Sequence, residues 1–179
     1  FAIESGVGLF NCESEPEFLN IARIAERMDA RPRVALRVNP DVDPETHKHT
    51  TTGVRSTKFG VDIEDATRFF RRNAGTTSCE LCGLHAHIGS PVRKVEPYVR
   101  AVERLLDCCD DLEAAGHRIT VLDLGGGFAA DYETGEAPSA GEYARALVPL
   151  LKPRVEAGLR IIFEPGRSIA ANAGLLLTR

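Results

Sequence analysis

The feature of this sequence that most constrains its fold is a regular alternation of short apolar runs with segments of helical periodicity. Five runs have the length and composition of buried strands: VGLFNC (7–12), RVALRV (33–38), LCGLHAHI (81–88), ITVLDL (119–124) and RIIF (160–163). Strands that are joined through helices run parallel within one sheet. The sequence therefore predicts an α/β domain in which helices cover a parallel sheet.

Four helices are predicted between these strands, over about 14–28, 63–73, 97–116 and 139–157. Ser14 and Glu17 have the spacing of a capping box at the start of the first helix, and Asp62 is a suitable N-cap for the second. Pro149 or Pro153 is expected to break or kink the fourth helix, because proline removes a backbone hydrogen bond.

Two features bear on the organisation of the chain. The connection over residues 39–60 carries neither period and is far longer than most loops, and such connections are usually functional or disordered. The chain begins with Phe1 rather than Met, and its last residues are GLLLTR (174–179). We interpret the sequence as an internal piece of a longer protein.

Side chains alternate between the two faces of a strand, and in this sequence one face is apolar while the other is polar. The polar face reads Asn11, Arg37, His85, His87, Asp123 and Glu164. Each of these residues lies near the carboxyl end of its strand, where burial without a partner would be costly. In a parallel (β/α)8 barrel of the TIM type, that end of the strands is where active sites are built. The pattern therefore predicts a barrel with a site at its mouth.

Two glycine-containing motifs follow neighbouring strands and indicate a phosphate site. Gly125, Gly126 and Gly127 come directly after a strand, where their N–H groups can approach an anion, although a flexible turn would look the same. They lack the spacing of a dinucleotide-binding fingerprint. Gly166 and Arg167 follow the next strand, and parallel barrels often hold a phosphate between the loops after their last two strands.

Glu164 does not fit a site for an anion alone. It lies three residues before Arg167, so the ligand must also have a cationic part. His87 offers a flat ring at the same end of the sheet, and Ser90 could also reach a phosphate. His85, two residues earlier, is more typical of a structural histidine.

The composition excludes several classes of partner. The net charge is −4, which gives no reason to expect nucleic acid or an anionic membrane, and no apolar run approaches the roughly 20 residues of a membrane span. Cys79 and Cys82 have zinc-like spacing before His85, but these residues do not share one strand face and no second pair follows. No metal is predicted. The five cysteines are expected to be free thiols, as in a cytoplasmic protein.

Several motifs together resemble the diaminopimelate decarboxylases, which are pyridoxal-phosphate (PLP) enzymes with the fold of alanine racemase and ornithine decarboxylase. The resemblance rests on RVNPDVDPETHKHTTTG, KFGV, GLHAHIGS, LDLGGGF, DYETGEAP and EPGRSIAANAG, and it covers nearly the whole chain. Pro91 departs from it, since the family has glutamine or a similar residue after HIGS. The resemblance implies a TIM-like (β/α)8 barrel, of which this chain contains about the last five strands.

The resemblance also implies roles for the residues at the strand ends. Glu164 and His87 would be the catalytic residues, Glu164 pairing with the ring nitrogen of PLP and His87 stacking on the ring. Arg167 would also approach a substrate carboxylate. The remaining PLP contacts, mostly to the phosphate, would come from Ser90, Gly125, Gly126, Gly127, Pro165, Gly166 and Arg167.

The implied reaction is the decarboxylation of meso-2,6-diaminopimelate to L-lysine by a cytoplasmic homodimer. A sister decarboxylase of ornithine, arginine or carboxynorspermidine, or a non-catalytic regulatory homologue, is the alternative. Residues 1–179 would be part of the PLP-binding barrel domain, without the earlier strands that carry the Schiff-base lysine and without the C-terminal β-domain that supplies a cysteine to the neighbouring subunit. The lysines present match no such motif and are Lys48, Lys58, Lys94 and Lys152. This piece alone is expected to be inactive.

Overall fold

The strands form an all-parallel sheet in this computed structural model, which describes residues 1–44, 59–132, 135, 137–175 and 177. The strands are β1 (Phe10–Cys12), β2 (Arg33–Asn39), β3 (Val61–Asp62), β4 (Glu80–His85), β5 (Val121–Asp123) and β6 (Arg160–Ile162). Their order is β1-β2-β4-β5-β6, and β3 pairs with β2 off this path. Every pairing is parallel, which confirms the α/β prediction. The two-residue strand β3 was not predicted, because it is too short to show a period.

The helices alternate with the strands as predicted. They are α1 (Glu15–Arg27), α2 (Ala66–Asn73), α3 (Glu96–Ala114), α4 (Ala140–Glu156) and α5 (Gly166–Ala170). The helix predicted from residue 63 starts with a 3₁₀ turn over Ile63–Asp65 and becomes α-helical only at Ala66. Asp62 occupies the N-cap position of this turn, as predicted, but its side chain makes no capping hydrogen bond.

The predicted capping box of α1 forms only in part. Ser14 Oγ accepts a hydrogen bond from the Glu17 N–H at 3.4 Å, as expected of an N-cap. Glu17 Oε2, however, accepts from the Glu13 N–H at 2.7 Å, one residue before the cap. A complete capping box is present instead at the start of α4, between Ser139 and Glu142.

α4 is one helix and continues through Pro149 and Pro153, so the predicted break is wrong. Each proline removes one backbone donor, but the helix buries Tyr143, Leu147 and Leu151 in the core. Most of the stability of such a helix comes from its packed apolar face, which offsets the missing hydrogen bonds.

The core lies between the sheet and the helices. The apolar strand face predicted from the sequence is buried there, with Leu36 and Leu84 fully inaccessible and packed in one cluster with Phe18 of α1 and Leu105 of α3. Phe163, the last residue of the predicted apolar face, is the exception and is 42% exposed beside β6.

The sheet is strongly curved, and its concave face is polar. Asn11 Nδ2, on β1, donates to Asp123 Oδ2, on β5, at 3.0 Å, although two strands lie between them. In a flat sheet these strands would be about 14 Å apart, at about 4.8 Å per strand spacing. The curvature brings opposite side chains together as in a barrel. The structure is thus part of a TIM-like barrel, with β1 and β6 at its two ends.

Some predictions fall partly or wholly outside the described residues. The long connection is described only up to residue 44 and from residue 59, so Lys48 and Lys58 lie outside the described residues. Lys152 lies within α4, and Lys94 lies two residues before α3.

Among the helices of the described residues, none has the length and hydropathy needed to span a membrane.

Candidate active site

The loops after β4, β5 and β6 meet at one end of the sheet. His85 ends β4 and is in register with Asp123 at the end of β5, which is in register with Ile162 at the end of β6. Parallel strands deliver the chain to the same edge, so His87, the glycines after Asp123 and Glu164 lie on neighbouring loops. The structure therefore brings these predicted site residues together.

The glycine segment 125–127 is buried and closely packed, so it is not a flexible turn. A Cβ atom on Gly126 would overlap the carbonyl oxygen of Glu164. One on Gly127 would overlap the carbonyl oxygen of Gly89, and Gly127 also has a φ of +96°. Glycine is needed here because the backbones of three loops are in direct contact.

Two N–H groups of this segment already have acceptors within the chain. The Gly125 N–H donates to Asp123 Oδ1 at 3.0 Å, and the Gly126 N–H donates to His87 Nδ1 at 3.2 Å. The sequence predicted that all three glycines offer N–H groups to a phosphate. In the structure, the N–H groups of Gly125 and Gly126 are thus engaged within the chain.

His87 lies two residues beyond β4 and is fixed by the glycine segment. Its Nδ1 accepts from the Gly126 N–H, so the neutral ring carries its proton on Nε2. Burial, and then the positive charge of Arg37, lower the pKa of His87. The ring is therefore uncharged near neutral pH and held in one orientation.

Glu164 follows β6 and lies against a second carboxyl group. Its N–H donates to the Gly125 carbonyl at 2.8 Å, and its side chain is about half exposed. Asp123 is 3% exposed, and ligand atoms of His85, Asp123 and Glu164 all lie within 4.8 Å of one another. Burial, and then the nearby Asp123 carboxylate, raise the pKa of Glu164. Glu164 is thus an acid with an unusually high proton affinity.

His85 is buried beside these carboxyl groups, and neither ring nitrogen has a hydrogen-bond partner within the described part of the chain. Its Nε2 is 3.9 Å from Glu164 Oε1, beyond hydrogen-bond distance. Burial lowers the pKa of His85 to about 4, so the ring is neutral and forms no ion pair with Glu164. A buried imidazole without partners marks a place where a polar group is still to be accommodated.

Arg167 lies at the outer edge of the site and connects two loops. Its Nε donates to Ser90 Oγ at 3.1 Å, and its Nη1 donates to Tyr132 Oη at 3.2 Å. Pro165 and Gly166 form the turn before it, with the Gly166 N–H donating to the Glu164 carbonyl at 2.8 Å. The guanidinium is held at the mouth, near the glycine segment.

Arg37 belongs to the polar face but is already paired. It forms an ion pair with Glu13, and its guanidinium lies 5.0 Å from the centre of the Phe59 ring. Glu13 Oε2 also accepts from the Gly60 N–H at 2.9 Å. Arg37 thus supplies positive potential to the site while its side chain is held at one wall.

Sequence reasoning missed two tyrosines that support the site. The Tyr98 hydroxyl, on α3, donates to the Gly126 carbonyl at 2.6 Å, and Tyr132 holds Arg167. Tyr98 looks like any core residue of an amphipathic helix, so only the structure could reveal its contact. Tyr132 follows the glycines by five residues, and that proximity was an unused signal.

Comparison with known proteins gives a consistent family. Residues 1–171 match the family described as pyridoxal-dependent decarboxylase, pyridoxal binding domain. The chain belongs to this family. The site at the carboxyl ends of β4, β5 and β6 is therefore part of a pyridoxal-binding domain.

Similar proteins include a diaminopimelate decarboxylase of Pseudomonas aeruginosa, 44% identical over 178 residues, which cover 99% of this chain and 42% of that protein. A crystal structure of diaminopimelate decarboxylase from Helicobacter pylori complexed with L-lysine aligns with a TM-score of 0.86 at 32% identity. That alignment covers 94% of this chain and 42% of the other. A Paramecium bursaria Chlorella virus arginine decarboxylase aligns with a TM-score of 0.73 at 26% identity, over 93% of this chain and 42% of its own. The chain thus spans less than half the length of these relatives.

The chemistry of the site fits the cofactor of the family. PLP combines an anionic phosphate, a flat aromatic ring and a ring nitrogen that can carry a proton. The site offers a guanidinium at its outer edge, a fixed neutral imidazole and a carboxyl group with raised proton affinity. The unpartnered nitrogens of His85 further show that the interior is built for polar contact.

Proposed function

We propose that the whole protein containing this chain is a PLP-dependent carboxy-lyase that converts meso-2,6-diaminopimelate to L-lysine, and that residues 1–179 form part of its cofactor-binding barrel. The observation that carries the proposal is Glu164, a carboxyl group with a raised pKa at the carboxyl end of β6, beside the glycine segment that also fixes His87. The similarity to diaminopimelate decarboxylases at 38–44% identity supports the substrate.

In this proposal Glu164 faces the ring nitrogen. Bound PLP supplies the electron sink for the electrons left when carbon dioxide departs. A carboxylate beside the ring nitrogen favours the protonated ring, because opposite charges stabilise each other in a partly buried site. The role of Glu164 is to hold that proton at the nitrogen.

His87 and Arg167 have the complementary roles. His87, uncharged and fixed through its Nδ1, is proposed to stack on the ring without adding a second positive charge. Arg167 is proposed to bind the phosphate or the substrate carboxylate, with Ser90 as a further phosphate contact. Gly127, Pro165 and Gly166 would let the backbone approach the phosphate, while Gly125 and Gly126 shape the loop.

We further propose a cytoplasmic homodimer. The five cysteines are free and buried, and burial raises the pKa of Cys12, Cys108 and Cys109 to about 12, which makes these thiols unreactive. Free thiols of this kind suit a reducing compartment. The dimer rests on the family resemblance, and light scattering of the purified whole protein tests it.

The function is tested with the purified whole protein, reconstituted with PLP and incubated separately with meso-diaminopimelate, ornithine, arginine and carboxynorspermidine. We expect carbon dioxide and L-lysine from diaminopimelate, and rates at least about a hundredfold lower for the others, since a site that binds the distal carboxylate of diaminopimelate rejects ligands that lack this group. Preference for another substrate would identify a sister decarboxylase. PLP binding without turnover of any substrate would identify a non-catalytic homologue.

A further inference from the structure

Asp123 has no role in the proposed function, although its side chain is buried and firmly held. Both of its oxygens accept hydrogen bonds: Oδ1 from the Gly125 N–H and Oδ2 from Asn11 Nδ2, each at 3.0 Å. Asp123 is 3% exposed, so it is held rigidly from β1 and from the glycine segment. Two N–H donors suit a carboxylate rather than a carboxylic acid.

Asp123 lies close to Glu164, and within the described residues no cation is paired directly with the two carboxyl groups. Ionising both groups at this separation is costly, because Asp123 is buried and Glu164 is only about half exposed. His85 is neutral, because burial lowers its pKa to about 4, and it is not within hydrogen-bond distance of Glu164. Among the described residues, the other titratable groups that act on these side chains are Glu13, Arg37 and His87, of which Arg37 carries a positive charge.

The Arg37 guanidinium already contacts two other residues. It is paired with Glu13 and stacked over Phe59, and its effect is to lower the pKa of Glu164, opposing the larger effects of burial and Asp123. The remaining way to balance the charge is a proton shared between Asp123 and Glu164. Because Asp123 already accepts two hydrogen bonds, the Glu164 side chain is the partner that carries this proton.

We propose that Asp123 is a positioning residue that fixes the Glu164 carboxyl group by sharing one proton with it, and that this proton would pass to the ring nitrogen when the cofactor binds, leaving both carboxyl groups ionised beside the cationic ring. The inference rests on the proposed function for the identity of that nitrogen. The pairing of Asp123 with Glu164 is a property of this chain alone.

Asp123→Asn is a suitable variant, because the structure can accommodate it. The new amide can keep its oxygen on the Gly125 N–H, and its NH₂ group then faces Asn11. Asn11 Oδ1 has no hydrogen-bond partner within the described residues, so a rotated Asn11 amide can accept from it. The variant removes the charge next to Glu164 while it preserves the link between β1 and β5.

The matched control exchanges the two residues. In the double variant Asn11→Asp with Asp123→Asn, the carboxylate lies on β1, and the hydrogen bond between positions 11 and 123 is kept. If Asp123 acts only through its hydrogen bond to Asn11, any change seen in the single variant would be reversed by this exchange, which returns a carboxylate to that bond. If Asp123 acts on Glu164, the exchange does not reverse the change.

The primary readout uses the whole protein without cofactor and does not involve catalysis. Glutamate labelled with ¹³C at the carboxyl carbon gives an infrared band, and subtraction of the Glu164→Gln spectrum isolates Glu164. In the wild type the band is expected to titrate at higher pH than ordinary glutamates. In Asp123→Asn and in the exchanged variant it is expected to titrate at lower pH than in the wild type, while burial still keeps it above ordinary glutamates. An unchanged titration in Asp123→Asn, or its restoration by the exchange, overturns the proposal.

The second readout is the split between kinetic constants in the reconstituted enzyme. Asp123→Asn is expected to lower kcat on the order of tenfold to a hundredfold, since small displacements of a catalytic group have effects of this size, with little change in KM. If no substrate is turned over, the proposed function fails while the Glu164 titration still decides the pairing. If turnover is normal in Asp123→Asn, the positioning role is wrong although the function stands.

Discussion

At the residue scale, the proton affinity of Glu164 is set by its neighbours rather than by its position on the strand. Burial and Asp123 raise its pKa, and Arg37 lowers it by a smaller amount. His87 is shifted in the opposite direction by the same kind of desolvation. The site therefore combines a carboxyl group whose pKa is raised with an imidazole whose pKa is lowered, and a cofactor with one protonatable nitrogen can be bound between two such groups.

The first prediction concerns Glu164→Gln in the whole protein. The amide can still form a hydrogen bond to the ring nitrogen but cannot favour its protonation, so kcat is expected to fall about a hundredfold or more. PLP affinity, measured by the absorbance of the bound cofactor, is expected to change little. Ser168→Ala is the control, because Ser168 lies on α5 nearby and donates only to the Pro165 carbonyl within the described contacts. Near-normal turnover of Glu164→Gln at saturating PLP would contradict the assigned role.

At the scale of elements, side chains of helix α3 and of the loop after β5 hold the backbone of the site in place. Tyr98 stacks on Phe128 with ring centres 4.6 Å apart, and its hydroxyl holds the Gly126 carbonyl. Tyr143 of α4 packs edge-on against both rings and donates to the Val92 carbonyl at 2.9 Å. The helices thus fix the loops as well as covering the sheet.

The second prediction compares Tyr98→Phe with Tyr143→Phe. Each variant leaves one buried carbonyl without its donor, so each is expected to lower the free energy of unfolding by about 1–3 kcal/mol in urea titrations. Only Tyr98→Phe is expected to weaken PLP binding, because its acceptor belongs to the glycine segment. Equal losses of PLP affinity in the two variants would show that the Tyr98 contact has no special role.

The third prediction concerns Gly127→Ala. The new methyl group would overlap the Gly89 carbonyl, and the positive φ of Gly127 is unfavourable for alanine. The free energy of unfolding is expected to fall by about 2 kcal/mol or more. Gly75→Ala is the control, since a Cβ there meets nothing within 4 Å, and its effect is expected to stay within about 0.5 kcal/mol. A Gly127→Ala variant as stable as the wild type would refute the tight packing of the loop.

At the scale of the whole molecule, the curved sheet remains open at β6 within the described structure. A groove of about 550 Å³ lies between α4 and β6 and is lined by apolar residues. Val148, Val155 and Phe163 in this groove are each about half exposed. Apolar surface of this kind, next to a strand edge without a partner, favours association.

The fourth prediction is that the 179-residue chain, made by itself, is not a stable monomer. We expect light scattering to show association and thermal unfolding to lack a sharp transition. Phe163→Ser is expected to reduce the association, whereas Leu19→Ser, which changes a similarly exposed residue on α1 outside the groove, is expected to reduce it less. A monodisperse monomer with one cooperative transition would contradict this prediction.

Local patterns in the sequence were sufficient for the order of the elements and for the set of polar residues that lie together at the strand ends. Alternation along each strand separated Leu36 and Leu84, which are buried under the helices, from His85 and Asp123 on the concave face. The type of each element and the face on which a residue lies depend on residues a few positions apart, and the period of a strand or a helix reports them directly. The same patterns overestimated strand lengths and predicted a break in α4, because they carry no information on tertiary packing.

Only the tertiary structure decided how the polar groups at the strand ends are paired. The hydrogen bond from Asn11 to Asp123 joins residues 112 positions apart and exists because the sheet curves. The pairing of β5 with β6 places Asp123 beside Glu164, and His85 has no hydrogen-bond partner within the described chain. The glycine segment illustrates the difference. The sequence predicted an anion site there, but in the structure the segment packs against two other loops, and two of its N–H groups donate to Asp123 and His87. Contacts between distant residues depend on how the strands are arranged in space, and no local period reports that arrangement.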